Sequence, residues 1–88
     1  MNATELMNAA NRLAAAATER SRWAEQDEPR GFSLHSSVAQ QLSDRASQVR
    51  SWAAAARYRE ERDETCPAEI EAWIDAAVRE FLGMIVEA

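Results

Sequence analysis

The chain has 88 residues, a formal net charge of −5 and a hydrophobic content of 47%, which predicts one domain. Nineteen residues are alanine, but only two are glycine and two proline. Turn residues are therefore too few for a β-rich fold, and the composition predicts an all-α protein. A net acidic chain is a poor general binder of nucleic acid, because phosphate contacts need a basic face. A monomer this small has a modest core, so we expect self-association to complete it.

The composition also bears on origin and compartment. All ten basic residues are arginine, which is typical of GC-rich coding sequences and favours a bacterial or phage source. The single cysteine excludes an intramolecular disulfide and fits a reducing compartment. No apolar run reaches the roughly 18 residues of a transmembrane helix, and the first residues lack the pattern of a secretory signal. We therefore expect a cytoplasmic protein without membrane contact.

A first helix is predicted at about residues 5–26. Asn2 or Thr4 can cap it, and Glu5 follows Asn2 at the spacing of a capping box. One face of this helix is apolar and rich in small side chains, which lets a partner helix approach closely. This face comprises Leu6, Ala10, Leu13, Ala17 and Ala24.

A long central helix is predicted at about residues 33–62, a stretch with neither glycine nor proline. Its apolar stripe comprises Val38, Leu42, Val49, Trp52 and Ala56, with Ala46 and Ala53 beside it. At about 43 Å this helix would be longer than a compact domain of this size. Its last turn should therefore project into solvent or be covered by a second subunit. Before the helix, residues 27–32 are predicted to form a loop, with Phe32 in the core and Ser33 as the cap.

A third helix is predicted at about residues 67–86. Pro67 suits its first turn, and Thr65 or Cys66 suits the cap. Gly83 either ends this helix or weakens it near its end. The helix carries the widest apolar face of the chain: Ile70, Trp73, Ile74, Ala77, Phe81, Met84 and Ile85. Together the predicted elements form a three-helix bundle with a long central helix.

Charge is distributed unevenly along the chain. Residues 34–62 carry a net charge of +2, and residues 63–88 carry −6. This asymmetry favours antiparallel packing of the central helix against the last one, within the chain or between subunits. Arg45 and Arg59 lie at the margin of the central stripe, so we expect them to pair with acids of the last helix.

Each predicted helix carries one tryptophan. Trp52 and Trp73 fall on the apolar stripes of their helices and are expected in the core. Trp23 lies about 100° from the stripe of the first helix. It should therefore either cover the end of the bundle or contact a partner, since exposed tryptophan is enriched at binding hot spots.

The sequence contains no constellation of catalytic or metal-binding residues. His35 and Cys66 are the only residues of their types, whereas a zinc site needs three or four such ligands. They lie near the starts of different helices, roughly 45 Å apart if the central helix is intact, which is too far for a nucleophilic pair. Gly31 and Gly83 stand alone, so a glycine-rich phosphate loop is absent. We predict no cofactor, no metal and no enzymatic activity.

The end of the central helix carries basic and aromatic side chains: Arg57, Tyr58, Arg59 and Arg62. Arginine forks bind phosphate, and a tyrosine ring can stack on a base. The interleaved Glu60 and Glu61 are more typical of a solvated helix surface with local ion pairs. This cluster is nevertheless the best candidate for an anion site.

These observations predict a small, acidic, non-enzymatic protein that acts by binding. The first hypothesis is a self-associating regulator, adaptor or inhibitor that contacts an unidentified larger protein. The second is a binder of a small anionic ligand, such as a nucleotide, with the arginine and tyrosine cluster at a subunit junction. The third is mimicry of nucleic acid by acids of the last helix: Glu69, Glu71, Asp75 and Glu80.

Overall fold

A computed structural model describes residues 1–27 and 34–87 of the chain. It contains three helices, α1 at Ala3–Asp27, α2 at Leu34–Glu61 and α3 at Ala68–Glu87. The predicted all-α three-helix bundle is confirmed, and each helix boundary lies within two residues of its predicted position. The predictions for Phe32 and Ser33 fall outside the described residues.

Helix α1 begins with the predicted capping box. The amide of Glu5 donates to Oδ1 of Asn2 at 2.8 Å, and the amide of Asn2 donates to Oε1 of Glu5 at 3.0 Å. A third amide, that of Ala3, donates to Oε2 of Glu60 at 2.8 Å. Since the first amides of a helix have no partner within it, a carboxylate from the end of α2 completes the cap of α1.

Helices α1 and α2 pack side by side as a long hairpin. The predicted stripe of α1 and most of that of α2 are buried, and their small and large apolar side chains form the seam: Leu6, Ala10, Leu13, Ala17, Leu42, Ala46, Val49 and Ala53. The molecule is elongated, measuring 53 × 20 × 15 Å. The predicted projection of the end of α2 is wrong, because Glu60 lies beside Ala3 at the start of α1.

Helix α2 ends in a left-handed turn. Asp63 has a φ of 55°, and its amide donates to the carbonyl of Glu60 at 3.3 Å. The amide of Glu64 donates to the carbonyl of Arg59 at 2.9 Å. This pair of hydrogen bonds is a Schellman motif, with an aspartate where glycine is most common.

Helix α3 begins directly after Pro67. The carbonyl of Pro67 accepts hydrogen bonds from the amides of Ile70 and Glu71, at 3.1 and 3.0 Å. Pro67 is therefore the N-cap, and the predicted cap at Thr65 or Cys66 is wrong by one or two positions. The proline ring fixes φ and has no amide to leave unpaired, which suits a helix start.

Helix α3 lies along the hairpin on a narrow line of contact. Val78 is fully buried and Ile74 is 9% exposed. In the first half of α3, Oδ1 of Asp75 accepts a hydrogen bond from the ammonium group of Met1 at 2.8 Å. Near its end, Ile85 borders Leu42 of α2. Helix α3, with 20 residues, thus runs alongside only part of the length of the hairpin.

Candidate functional site

Aromatic rings make the contact between α2 and α3. Trp52 of α2 meets Trp73 of α3 edge-on, with ring centroids 5.4 Å apart, and stacks on Phe81 at 6.0 Å. The guanidinium of Arg45 lies 5.1 Å from the centroid of the Phe81 ring. These side chains, together with Ile70, form the surface that we call the aromatic face.

Two large apolar side chains of the aromatic face are open to solvent. Trp73 is 60% exposed and Ile70 is 50% exposed, so the prediction that Trp73 lies in the core is wrong. The reason is geometric, because α3 contacts the hairpin along the line of Ile74 and Val78. Trp73 lies about 100° around the helix from Ile74. The apolar arc of α3 is therefore wider than the surface that the hairpin covers.

Charged residues flank the two tryptophans at helical spacing. On α2, Arg45 and Arg59 stand seven residues before and after Trp52. On α3, Glu69 precedes Trp73 by four residues, and Glu80 follows it by seven. Spacings of four and seven keep residues on one side of a helix. The aromatic face is therefore bordered by two arginines of α2, Arg45 and Arg59, which we call its basic margin. It is bordered on α3 by Glu69 and Glu80, which we call its acidic margin.

Within one chain, the described side chains of Arg45 and Arg59 form no ion pair with acids of α3, so the predicted pairing is wrong there, and pairing between subunits stays a prediction. The acids of α3 that form ion pairs there are Asp75 and Glu71, whose partner is the ammonium group of Met1, at 2.8 and 3.7 Å. Arg45 contacts a ring instead, and its Nε is buried without a hydrogen-bond partner among the described residues.

Trp23, a predicted partner contact, lies near the end of α3. Its indole is 37% exposed, and the guanidinium of Arg20 lies 4.6 Å from the ring centroid. Together with Leu42 and Ile85 it borders a cavity of about 50 Å³. Trp23 therefore covers the end of the packed bundle, which is one of the two predicted alternatives, and part of its ring remains open to a partner.

The arginine and tyrosine cluster at the end of α2 does not converge on one site. Arg57, Tyr58 and Arg59 are consecutive, so their side chains leave the helix about 100° apart. The guanidinium of Arg62 lies 4.2 Å from the centroid of the Tyr58 ring, on a tyrosine that is 54% exposed. One face of that ring is therefore already occupied by a residue of the turn that follows the helix.

Arg59 borders an acidic depression. The depression has a volume of about 370 Å³, and its lining includes four glutamates, Glu5, Glu60, Glu64 and Glu71. An anion would meet more negative than positive charge there, since Arg59 and the Met1 ammonium group are its only cationic groups among the described residues. The geometry therefore gives the anion-binding hypothesis little support.

The acids of α3 do not form one continuous surface. Asp75 and Glu71 approach Met1, whereas Glu69 and Glu80 lie on the side of Trp73. The hydrogen bond to Asp75 raises the pKa of the Met1 ammonium group above its ordinary value of 8.0. Desolvation opposes this rise, and the negative charges of Asp75, Glu71 and Glu5 add to it. These acids therefore stabilise the fold on one side and leave a narrow acidic margin on the other.

A shallow groove lies between α1 and α2, away from α3. Its volume is about 490 Å³, and alanine and serine make up most of its lining, with Glu25 and Arg50 among the rest. Small side chains leave such a groove wherever two helices pack closely, and within residues 1–27 and 34–87 no buried polar group points into it.

His35 and Cys66 stand at opposite ends of α2, as predicted. His35 is the second residue of α2, and Cys66 lies in the connection to α3. Among residues 1–27 and 34–87, no three His, Cys, Asp or Glu side chains are grouped to hold a metal ion. None of the described helices is long and apolar enough to cross a membrane.

Comparisons with protein-family models, curated proteins and solved structures found no match to this chain. Its function is therefore inferred from the residues and their geometry.

Proposed function

We propose that this chain is a small, non-enzymatic, self-associating protein that acts by protein–protein binding, as a regulator, adaptor or inhibitor, and that its aromatic face is a binding surface. The observation that carries the proposal is the exposure of Trp73 and Ile70, at 60% and 50%, beside a half-buried Trp52. Exposed apolar patches with a polar rim mark protein interaction sites. Tryptophan and arginine are among the residue types that contribute most to binding at such sites.

The composition of the aromatic face fits a protein partner better than a small ligand. None of the three cavities described above is lined by Trp52, Trp73 or Phe81, whereas small ligands bind in concave sites. The charged margins, Arg45 and Arg59 opposite Glu69 and Glu80, resemble the polar rim of a protein interface. The nucleotide and nucleic-acid mimicry hypotheses lack a comparable cluster and are less well supported.

Site-specific photo-crosslinking tests the proposal. A photoreactive amino acid replaces Trp73 in one variant and Tyr58 in a matched control, since Tyr58 is also an exposed aromatic residue, at 54%. Both variants are expressed in the source cells, irradiated and analysed by mass spectrometry. We expect a discrete protein adduct at position 73 and none at position 58. Absence of any adduct at position 73, or equal labelling at both positions, would contradict the proposal.

A further inference from the structure

We propose that the aromatic face binds a second copy of this chain, forming a two-fold dimer in which α2 and α3 of both copies make a four-helix bundle. The inference rests on the proposed function and names the partner. Three observations favour a second copy, namely the excess surface of the monomer, the two charged margins and the register of α2 against α3.

The monomer exposes more surface than its mass requires. A compact protein of 9.8 kDa exposes about 5,200 Å², whereas this chain exposes 6033 Å². Its radius of gyration is 15.2 Å, compared with about 12 Å for a compact chain of this length. The excess of roughly 800–900 Å² is close to the area that one partner buries in a standard interface, about 800 Å².

The aromatic face is complementary to itself in charge. Its α2 side carries Arg45 and Arg59, and its α3 side carries Glu69 and Glu80. A two-fold axis that runs parallel to the helices, in front of the aromatic face and opposite the midline between α2 and α3, places α2 of one copy over α3 of the other. The basic margin of each copy then faces the acidic margin of the other. The same contact occurs twice, once on each side of the axis, as in every isologous interface.

The contacts within one copy fix the register of this arrangement. Rotation about an axis parallel to the helices does not change the level of any residue along them. Trp52 is level with Trp73 within one chain, so Trp73 faces the partner's Trp52. Arg45 is level with Phe81, so the partner's Arg45 faces the neighbouring Glu80.

The other end of the interface follows the same register. Arg59 lies in the same depression as Cys66, so it is near the level of Glu69, and the partner's Arg59 faces Glu69. Helices α2 and α3 are antiparallel within one chain, and α2 is also antiparallel to the partner's α3. The four helices therefore have the alternating directions of an antiparallel bundle, with four tryptophans in its central layer.

Sedimentation equilibrium with charge-reversed variants tests the dimer. One variant carries Glu69→Arg and Glu80→Arg, and the other carries Arg45→Glu and Arg59→Glu. We expect the wild-type chain at tens of micromolar to have about twice its 9.8 kDa monomer mass. Each variant alone should associate at least about tenfold more weakly, because like charges then face each other. An equimolar mixture should form a heterodimer with restored affinity, since every reversed charge then meets an opposite one.

A matched control reverses Arg50 and Arg57, which are also seven residues apart on α2 but on its other side. It should dimerise as the wild type does. If circular dichroism shows that the Arg45 replacement unfolds the chain, Arg59→Glu and Glu69→Arg provide the same complementation at one end.

The outcomes separate this inference from the proposed function. A wild-type chain that stays monomeric, or variants that do not recover affinity on mixing, would overturn the dimer. If the chain is monomeric but position 73 crosslinks a different protein, the binding function stands without the dimer. If the chain is monomeric and position 73 forms no adduct, both proposals fail.

Discussion

Glu60 provides a sharp test of how the hairpin is held together. Its carboxylate accepts the amide of Ala3 at 2.8 Å across the two helices. A hydrogen bond to a charged acceptor contributes about 1.5–3 kcal/mol, less where it is solvent-exposed. Against this, a negative charge in the last turn of α2 costs about 0.3–1 kcal/mol. We therefore expect Glu60→Ala to lower the free energy of unfolding by about 1 kcal/mol.

The adjacent Glu61 is the matched control. It is exposed, occupies the same end of α2, and forms no ion pair or side-chain hydrogen bond among the described residues. Glu61→Ala should therefore leave the stability unchanged or raise it by up to about 0.5 kcal/mol, through relief of the dipole interaction. Urea unfolding followed by circular dichroism, at one fixed protein concentration, measures both variants. Equal effects of the two substitutions would refute the role of Glu60 as a cap of α1.

Three further predictions concern single positions. Gly83→Ala should raise the free energy of unfolding by about 0.5–1 kcal/mol, because Gly83 is inside α3 and an added Cβ meets nothing within 4 Å. A lower free energy of unfolding in urea would instead show that the added methyl group clashes with a neighbour. Asp63→Gly should raise the free energy of unfolding by about 1 kcal/mol, because the φ of 55° is unfavourable for a residue with a Cβ. Asp63→Ala keeps the Cβ and should therefore raise the free energy of unfolding by less. An equal increase in both variants would exclude backbone strain as the cause. The pKa of the Met1 ammonium group is raised in the fold, so its stabilisation is complete below the unfolded value of 8.0 and is lost as pH rises through the folded value. Stability should therefore fall as pH rises above about 8, and it should fall less in Asp75→Asn; an identical pH profile in both chains would contradict the assignment.

Helical periodicity was sufficient to predict the fold and the seam of the hairpin. The stripe of α1 and most of that of α2 are buried as predicted, because small and large apolar residues recur at fixed spacing along uninterrupted helices. The capping box at Asn2 and Glu5 was also visible, since it is a local pattern. Local pattern and tertiary packing agree in these parts of the chain.

The candidate site depended on tertiary contacts that periodicity does not contain. An apolar arc on α3 indicates that something covers it, but not whether the cover is the hairpin or a partner, and Trp73 was therefore placed wrongly in the core. The contact between Arg45 and Phe81 joins different helices. The seven-residue spacing of Arg45, Trp52 and Arg59 can be read from the sequence and places them on one side of α2. That this side borders the aromatic face follows only from the position of α3.

Hydroxyl-radical footprinting of the three tryptophans tests the central claim, the burial of the aromatic face by a second copy, most directly in the unmodified chain. In a dilute monomeric sample, Trp73 should oxidise faster than Trp23, since their exposed fractions are 60% and 37%. At concentrations where the dimer forms, Trp73 should become protected while Trp23 keeps its rate as an internal reference. An oxidation rate of Trp73 that does not change with protein concentration would contradict the account.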